Sequence, residues 1–348
     1  MSTVRLPAEW APHESTILAW PTNASDWPGK FQAIPWVFAE IVRHLTQSER
    51  VDLIVPSRDS ESRIRGILKR AQADVDSVRF LPLQLDRGWM RDCSPAFVLD
   101  AKANERVAVR FAFNAWAKYS NWRRDARAAA FLTKKSSSNA IDAQWNGRRV
   151  VLEGGGIDAN GHGTLLTTEE CLLDPEIQVR NPGFNRADYE GLFESYLGIE
   201  KVIWLRNGIA GDDTHGHVDD LCRFVNPTTV VLCREHDAAD ANYKPLQENW
   251  ELMQGESTAE GRKIEVIELP MPAPLYFNGH RLPASYPTFY ITNYLVLVPM
   301  FNDPRYREAL GILADLFPDR VVIGVHAVDL VWGFGTLHCL SHELPKIP

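Results

Sequence analysis

Apolar and polar positions along the chain fall into short β-like runs that come in pairs. "PAFVLDAKANERVAVRF", "GGGIDANGHGTLLTT", "LCRFVNPTTVVLCRE" and "TFYITNYLVLVPMF" each hold two such runs around a turn at or near Asn or Asp, residues that accept turn conformations easily. Helical stretches follow around 123–133, 186–197, 240–255 and 304–316, judged by period. Single strands come next, among them "KVIWLR", "KIEVIELP" and "RVVIGVHA". The pairs recur every 60 to 67 residues, at Phe97, Ile157, Phe224 and Tyr290, which predicts a repeat architecture. A fifth pair would begin after "VHAVDLVWG", yet only "TLHCLSHELP" is left for it. The missing partner is the N-terminal "STILAWP", with a helix at 32–49 and the strand "VDLIVPS" completing that unit.

Pairing the two ends of the chain closes a ring and removes open sheet edges. The expected fold class is therefore α/β, a ring of five ββαβ units. No linker or low-complexity segment interrupts it, so residues 1–348 read as a single domain. This arrangement places Cys339 on the closing strand, near the centre of the ring.

Composition narrows the classes. Hydrophobic residues make up 45% and charged residues 24% of 348, ordinary values for a globular protein able to bury a large core. No apolar run is long enough to span a bilayer, and "MSTVRLPAEWAPHEST" lacks the features of a secretory signal. A cytoplasmic location, with no membrane partner, is the expectation. The five cysteines, Cys93, Cys171, Cys222, Cys233 and Cys339, are odd in number and widely spaced, which suggests neither a disulfide framework nor a zinc ribbon. A net charge of −8 argues against nucleic acid and favours a cationic small molecule. A homo-oligomer is compatible with the sequence but is not indicated by it.

Four polar stretches border the strands. "RGWMRDCSPAFV" sets Trp89, Arg91 and Asp92 before an apolar strand; Asp92 could equally cap a turn or pair with Arg91, and Cys93 reads as a small core residue. "VVLEGGGIDANG" ends a strand at Glu153 and follows it with Gly154 to Gly156, either a backbone that admits a close ligand or a glycine bulge with Glu153 in solvent. In "GIAGDDTHGHVDDLCRFV", strand alternation would put His215, His217 and Asp219 on one face. That set could bind a metal, act as a general acid/base, or be a polar loop. In "GTLHCLSHELP", strand alternation turns His338 and His342 away from Cys339, so a base for the thiol must come from elsewhere, and His217 is the obvious choice.

A thiol with a histidine is a pattern of covalent catalysis. Carboxylates beside the thiol would raise its pKa, which makes sense if the substrate is a cation they must hold. A planar guanidinium matches carboxylates bidentately, so these residue types point to guanidine hydrolysis.

The motifs "PAEWAPHESTILAWP", "WMRDCSPAFV", "FAFNAWAKY", "LEGGGID", "GTLLTTEECLL", "NPGFNR", "GDDTHGHVDDLCRFV", "LPASYPTFYITN" and "GTLHCLSHELP" run in order from residue 7 to residue 345. On them the chain resembles the agmatine deiminase family, which includes bacterial peptidyl-arginine deiminases, within the guanidino-group modifying superfamily. The resemblance implies a five-bladed α/β propeller, pentein-like, and no metal or organic cofactor. It implies Cys339 as nucleophile, His217 as general acid and then base, and Asp92 and Asp219 gripping the guanidinium. Glu153 completes the catalytic set by orienting His217 or contacting the guanidinium. Trp89, Asp213 and His215 join Asp92 and Asp219 in binding substrate. Agmatine, giving N-carbamoylputrescine, is the first expectation; free arginine, peptidyl-arginine or another guanidino compound are alternatives. The chain departs from the family pattern at His215, where Asp or Asn is usual, and at Phe334 and Thr336, where Gly and Asn are usual. Two other classes stay open: a metal-dependent hydrolase using His215, His217, Asp219 and Cys339, and a binding protein that has kept the pocket.

Overall fold

Each predicted pair becomes two antiparallel strands of a small sheet, and the strand after the helix returns parallel to the second of them. The computed structural model describes residues 4–348. Ala96–Asp100, Glu105–Arg110 and Asn139–Asp142 make one such sheet, and Asp158–Ala159, Thr164–Thr168 and Lys201–Leu205 the next. Cys222–Asn226, Thr229–Arg234 and Glu265–Pro270 make another, followed by Tyr290–Ile291, Leu295–Met300 and Val321–His326. The last sheet joins the two ends of the chain. His342–Pro345 runs antiparallel to His13–Ala19 with His342 opposite Ile17, and Arg50–Val55 lies parallel on the other side. The ring is thus a five-bladed α/β propeller.

Local sequence explains the elements. The helix Arg186–Leu197 starts where Asn185 Oδ1 accepts the Asp188 amide at 3.2 Å and Asp188 accepts the Asn185 amide at 3.0 Å, a capping box. It buries Tyr189, Leu192, Phe193 and Leu197, spaced for one helical face. It stops at Gly198, whose φ of 67° is left-handed and whose missing side chain admits Val4 O, 2.0 Å from where a Cβ would stand.

Two pieces of the fold lie outside the sequence-based expectation. A helix, Arg58–Arg70, and a strand, Val78–Pro82, widen the closing sheet. Val4–Arg5 pairs with Ala96–Asp100, so the N-terminal segment laces the closing sheet to its neighbour.

A third difference positions the site. Each unit begins not with its strand but with one short helical turn: Met90–Cys93, Gly154–Gly156, Val218–Asp220, Tyr286–Thr288 and Leu337–Leu340. Each turn touches the next, and the last touches the first. Cys339 therefore sits on a helical turn and not on the closing strand, which begins at His342. The physical reason is that no neighbouring strand is available at the axis, so backbone groups there must be satisfied locally. The Ser341 amide bonds to His338 O at 3.1 Å and the Ser341 hydroxyl to Leu337 O at 2.7 Å.

Buried charge ties the turns together. Arg223 is fully buried; its Nε donates to Asp158 Oδ1 at 2.6 Å, and its Nη1 reaches the carbonyls of Pro287 and Phe289 at 3.3 and 3.2 Å. Its Nη2 forms an ion pair with Glu9 Oε1 at 3.1 Å, outside hydrogen-bond angles. Glu9 also accepts from Arg91 Nη2 at 2.9 Å, His338 Nε2 at 2.8 Å and the Ile291 amide at 2.8 Å. Burial alone would raise the Glu9 carboxyl, but Arg223, His338 and Arg91 hold it well below its ordinary range. Removing one partner of such a cluster leaves an uncompensated buried charge. Arg223→Ala should lower unfolding free energy by about 3–5 kcal/mol in urea titration, whereas a loss under about 1 kcal/mol, the worth of a surface pair, would contradict this role.

Candidate active site

Three of the five turns deliver Asp92, Asp220 and Cys339 to one cleft, which Trp89, Asp213, His217 and Phe334 also line. Asp92 comes from the turn Met90–Cys93 and is buried. Its Oδ1 accepts the Gly155 amide at 3.0 Å and its Oδ2 the indole N–H of Trp116 at 2.9 Å. Trp116 is aimed by an unusual loop in which Ala115, Trp116 and Ala117 all have positive φ, 51°, 58° and 53°, a strained conformation for residues with side chains.

His217 precedes the turn Val218–Asp220, which carries Asp219. The stretch 211–221 is a loop and a 3-10 turn, not a strand, so the alternation expected to align His215, His217 and Asp219 does not exist. The loop is shaped instead by Asp212, whose Oδ2 accepts the amides of Gly216 and His217 at 2.7 and 3.0 Å. His217 and Asp219 still meet, with Nδ1 3.9 Å from Asp219 Oδ1 and 4.0 Å from Asp92 Oδ1. His215 does not join them. With φ 64°, it points its Nε2 to Asp174 Oδ2 at 2.8 Å and its Nδ1 toward Glu170 at 3.4 Å. The expectation that it contacts substrate is corrected accordingly.

Glu153 lies behind His217, with Oε2 3.8 Å from Nε2, and both its oxygens face Arg180 Nε at 3.3 Å. The run of glycines lets these groups crowd together. A Cβ on Gly155 would stand 2.5 Å from His217 Nδ1 and 3.0 Å from Asp219 Oδ2, and one on Gly154 would stand 2.3 Å from Arg91 O. Asp213 reaches the cleft, but Lys118 pairs with it and Tyr119 Oη donates to it at 2.6 Å. Trp89 is buried in the cleft wall against Trp27.

Cys339 Sγ is 4.0 Å from Asp219 Oδ2, and Gly335 allows the approach, since a Cβ there would stand 3.1 Å from Cys339 Cβ. His338, expected only to face away from the thiol, has a role of its own. Its Nδ1 meets Asp219 Oδ2 at 2.6 Å and its Nε2 meets Glu9, so it fixes the Asp219 carboxylate. The other oxygen, Asp219 Oδ1, is buried and has no hydrogen-bond partner, a strong demand for a donor. His342 is buried, with Nε2 3.0 Å from Pro95 O, and does not line this cleft.

Sequence reasoning had passed over Arg180, Trp116, His338, Glu9 and Arg87 as parts of this site. Glu9, Trp116 and His338 lie inside stretches that stood out in the sequence; Arg180 carries no local signal. The proposed metal set of His215, His217, Asp219 and Cys339 is not assembled, because His215 is turned to Asp174. Among the described residues, one group of three side chains could hold a metal: Glu153, Cys171 and His217, with ligand atoms within 4.8 Å of one another.

The chain is similar to known proteins along nearly its whole length. The family model of Porphyromonas-type peptidyl-arginine deiminase matches residues 5–345. An agmatine deiminase of Pseudomonas aeruginosa is 34% identical, covering 98% of this chain and 95% of its own. The solved agmatine deiminase of Enterococcus faecalis superposes with a TM-score of 0.89 at 28% identity, covering 99% of this chain and 97% of that one. A cysteine-to-serine variant of the C. jejuni agmatine deiminase, solved with substrate bound, superposes with a TM-score of 0.86 at 29% identity, covering 99% and 96%.

The buried acidic groups around the cleft shift one another and their neighbours. Burial, with the Asp219 and Glu153 charges, raises the Asp92 carboxyl, although His217 opposes the rise. Burial alone would lower His217, but Asp92, Glu153 and Asp219 raise it to about 9. Asp219 is held below its ordinary value despite burial, chiefly by His338. Desolvation of the Cys339 sulfur, with Asp219, Asp220 and Asp92 nearby, raises its thiol well above the ordinary range. A raised thiol pKa means less thiolate at any given pH, and the thiolate is the species that is alkylated. Iodoacetamide labelling of Cys339 in the ligand-free protein should therefore rise with pH through an inflection above the free-cysteine value of about 8.5. An inflection at or below that value would contradict the account.

Proposed function

The chain belongs to the Porphyromonas-type peptidyl-arginine deiminase family, and on that premise we propose that it hydrolyses agmatine to N-carbamoylputrescine and ammonia through a covalent adduct on Cys339. The observation that carries the reading is the meeting of Cys339, His217 and Asp92 on one cleft, with Asp219 within 4.0 Å of both Cys339 Sγ and His217 Nδ1 and its Oδ1 buried and lacking a donor. A guanidinium supplies that donor, and its planar N–H pairs suit two carboxylates held apart on separate turns.

Binding the cation offsets the carboxylates that suppress the Cys339 thiolate, so the Sγ proton passes to solvent water, where the ammonia released later takes up a proton, and the nucleophile is activated by its own substrate. Sγ then bonds to the guanidinium carbon. His217, charged at neutral pH, gives its proton to the leaving nitrogen, and ammonia departs as the C–N bond breaks. The neutral imidazole next takes a proton from water, which adds to the amidino-thioester carbon. The C–S bond breaks, the thiol is restored and a ureido group remains. Glu153, held by Arg180, faces Nε2 and leaves Nδ1 toward Asp92 and Asp219. Its part in this scheme is to position and charge the ring.

The tail of the substrate is the open choice. Asp213 at the cleft favours an ammonium, as in agmatine, but its charge is already shared by Lys118 and Tyr119. Arg87 also lines the cleft, bound to Asp26 at 2.6 Å, and would suit the carboxylate of free arginine.

Ammonia release from agmatine, arginine and an arginine peptide, measured in parallel with chelator present, tests the reading. Turnover of agmatine is expected, with Cys339→Ala inactive and His217→Ala slowed by roughly 10²–10⁴. Turnover of arginine instead would assign the tail pocket to Arg87. Activity retained by folded Cys339→Ala would overturn the mechanism.

A further inference from the structure

Cys171, on the short helix Glu169–Leu173, is buried and takes no part in the reaction proposed above. Its sulfur nevertheless lies beside His217 and Glu153, one ligand atom from each of the three residues falling within 4.8 Å of the others. His217 Nε2 is buried and without a hydrogen-bond partner. It is 3.8 Å from Glu153 Oε2. Gly156 keeps the space between thiol and ring clear: a Cβ there would stand 3.4 Å from Cys171 Sγ and 3.9 Å from His217 Nε2.

We propose that Glu153, Cys171 and His217 Nε2 form an inhibitory site for a divalent cation of the zinc class. The inference rests on the reading of His217 as the proton-transfer group. Thiolate, imidazole and carboxylate are ordinary zinc ligands, and tetrahedral zinc sets neighbouring ligand atoms about 3.3–3.6 Å apart. The separations, 4.8 Å at most, need to shorten by no more than about 1.2–1.5 Å to meet that geometry. Water completes the fourth position.

The charge balance favours the exchange. The metal displaces the Cys171 thiol proton and the proton on His217 Nε2, so two positive charges leave as two arrive. Arg180 keeps its contact with Glu153, because a carboxylate can serve a guanidinium and a metal through different lone pairs. Asp92 and Asp219 flank Nδ1, the placement of outer carboxylates around a metal-bound histidine.

Inhibition follows from the ring nitrogens. With Nε2 bound to metal, Nδ1 must hold its hydrogen and can take no further proton, since giving it up would leave an imidazolate. His217 then cannot cycle between acid and base. The site thus stops proton transfer without occupying the place where the guanidinium sits.

Calorimetric titration of the purified full chain with zinc, and absorption spectra with cobalt(II), test this independently of turnover. One zinc per chain is expected, with a thiolate-to-cobalt charge-transfer band. Cys171→Ala and the volume-preserving Cys171→Ser should weaken binding at least about 100-fold, the upper range for losing even an outer partner of a metal site. Cys339→Ala should bind zinc as the wild type does. Without metal, Cys171→Ser should turn substrate over at the wild-type rate and resist zinc inhibition. Unchanged zinc affinity in the Cys171 variants, loss of binding in Cys339→Ala, or no binding to wild type would each overturn the proposal. If the chain bound zinc in this pattern but released no ammonia from any guanidine, the functional reading would fail while the site stood.

Discussion

Carboxylates can be buried at the axis of this ring only because arginine and histidine side chains from other units meet them there. Glu9 is the centre of that matching. One carboxylate from the N-terminal segment binds Arg91, Arg223, His338 and the backbone of Ile291, and so fastens the closing turn to the units on either side. Through His338 the same charge fixes Asp219. A buried pair of this kind contributes little net stability, but breaking it is costly. The consequence is a set of turns whose relative positions are over-determined. That is the condition for holding Cys339, His217, Asp92 and Asp219 in register.

The matching is incomplete in one place. Asp92 and Asp219 stand 4.0 and 3.9 Å from His217 Nδ1, only Asp219 is also held by His338, and burial of the Cys339 sulfur, with the Asp219, Asp220 and Asp92 charges nearby, keeps its thiol protonated. An incoming guanidinium completes the charge balance. The same event that binds it favours the thiolate, which protects a reactive sulfur in the absence of substrate. In this proposed chemistry, the specificity for cations and the activation of the nucleophile have one electrostatic cause.

The large elements were legible in the sequence because they carry a period. The four antiparallel pairs, the helix at 186–197 and the pairing of "STILAWP" with the last strand all appear as read. The five short turns were not legible. A turn of three or four residues has no periodicity, and Leu337–Leu340 looks like part of the strand that follows it. Reading a strand through 211–221 gave the correct meeting of His217 with Asp219 for the wrong reason, and wrongly added His215, which Asp174 and Glu170 draw away. Cys339 and His217 could be paired because thiol and imidazole made chemical sense together, whereas Asp92 and Glu153 took their roles from the family resemblance. The supporting shell of Glu9, His338, Arg180 and Trp116 could not be named, since its members join through space across separations that no local pattern encodes.

The most direct test of the covalent route is rapid-quench mass spectrometry of the intact protein mixed with agmatine, followed by peptide mapping. The account predicts a transient adduct with the mass of agmatine less ammonia, on Cys339, that decays as N-carbamoylputrescine forms. Product accumulating with no adduct at any time point, or an adduct on another residue, would contradict it.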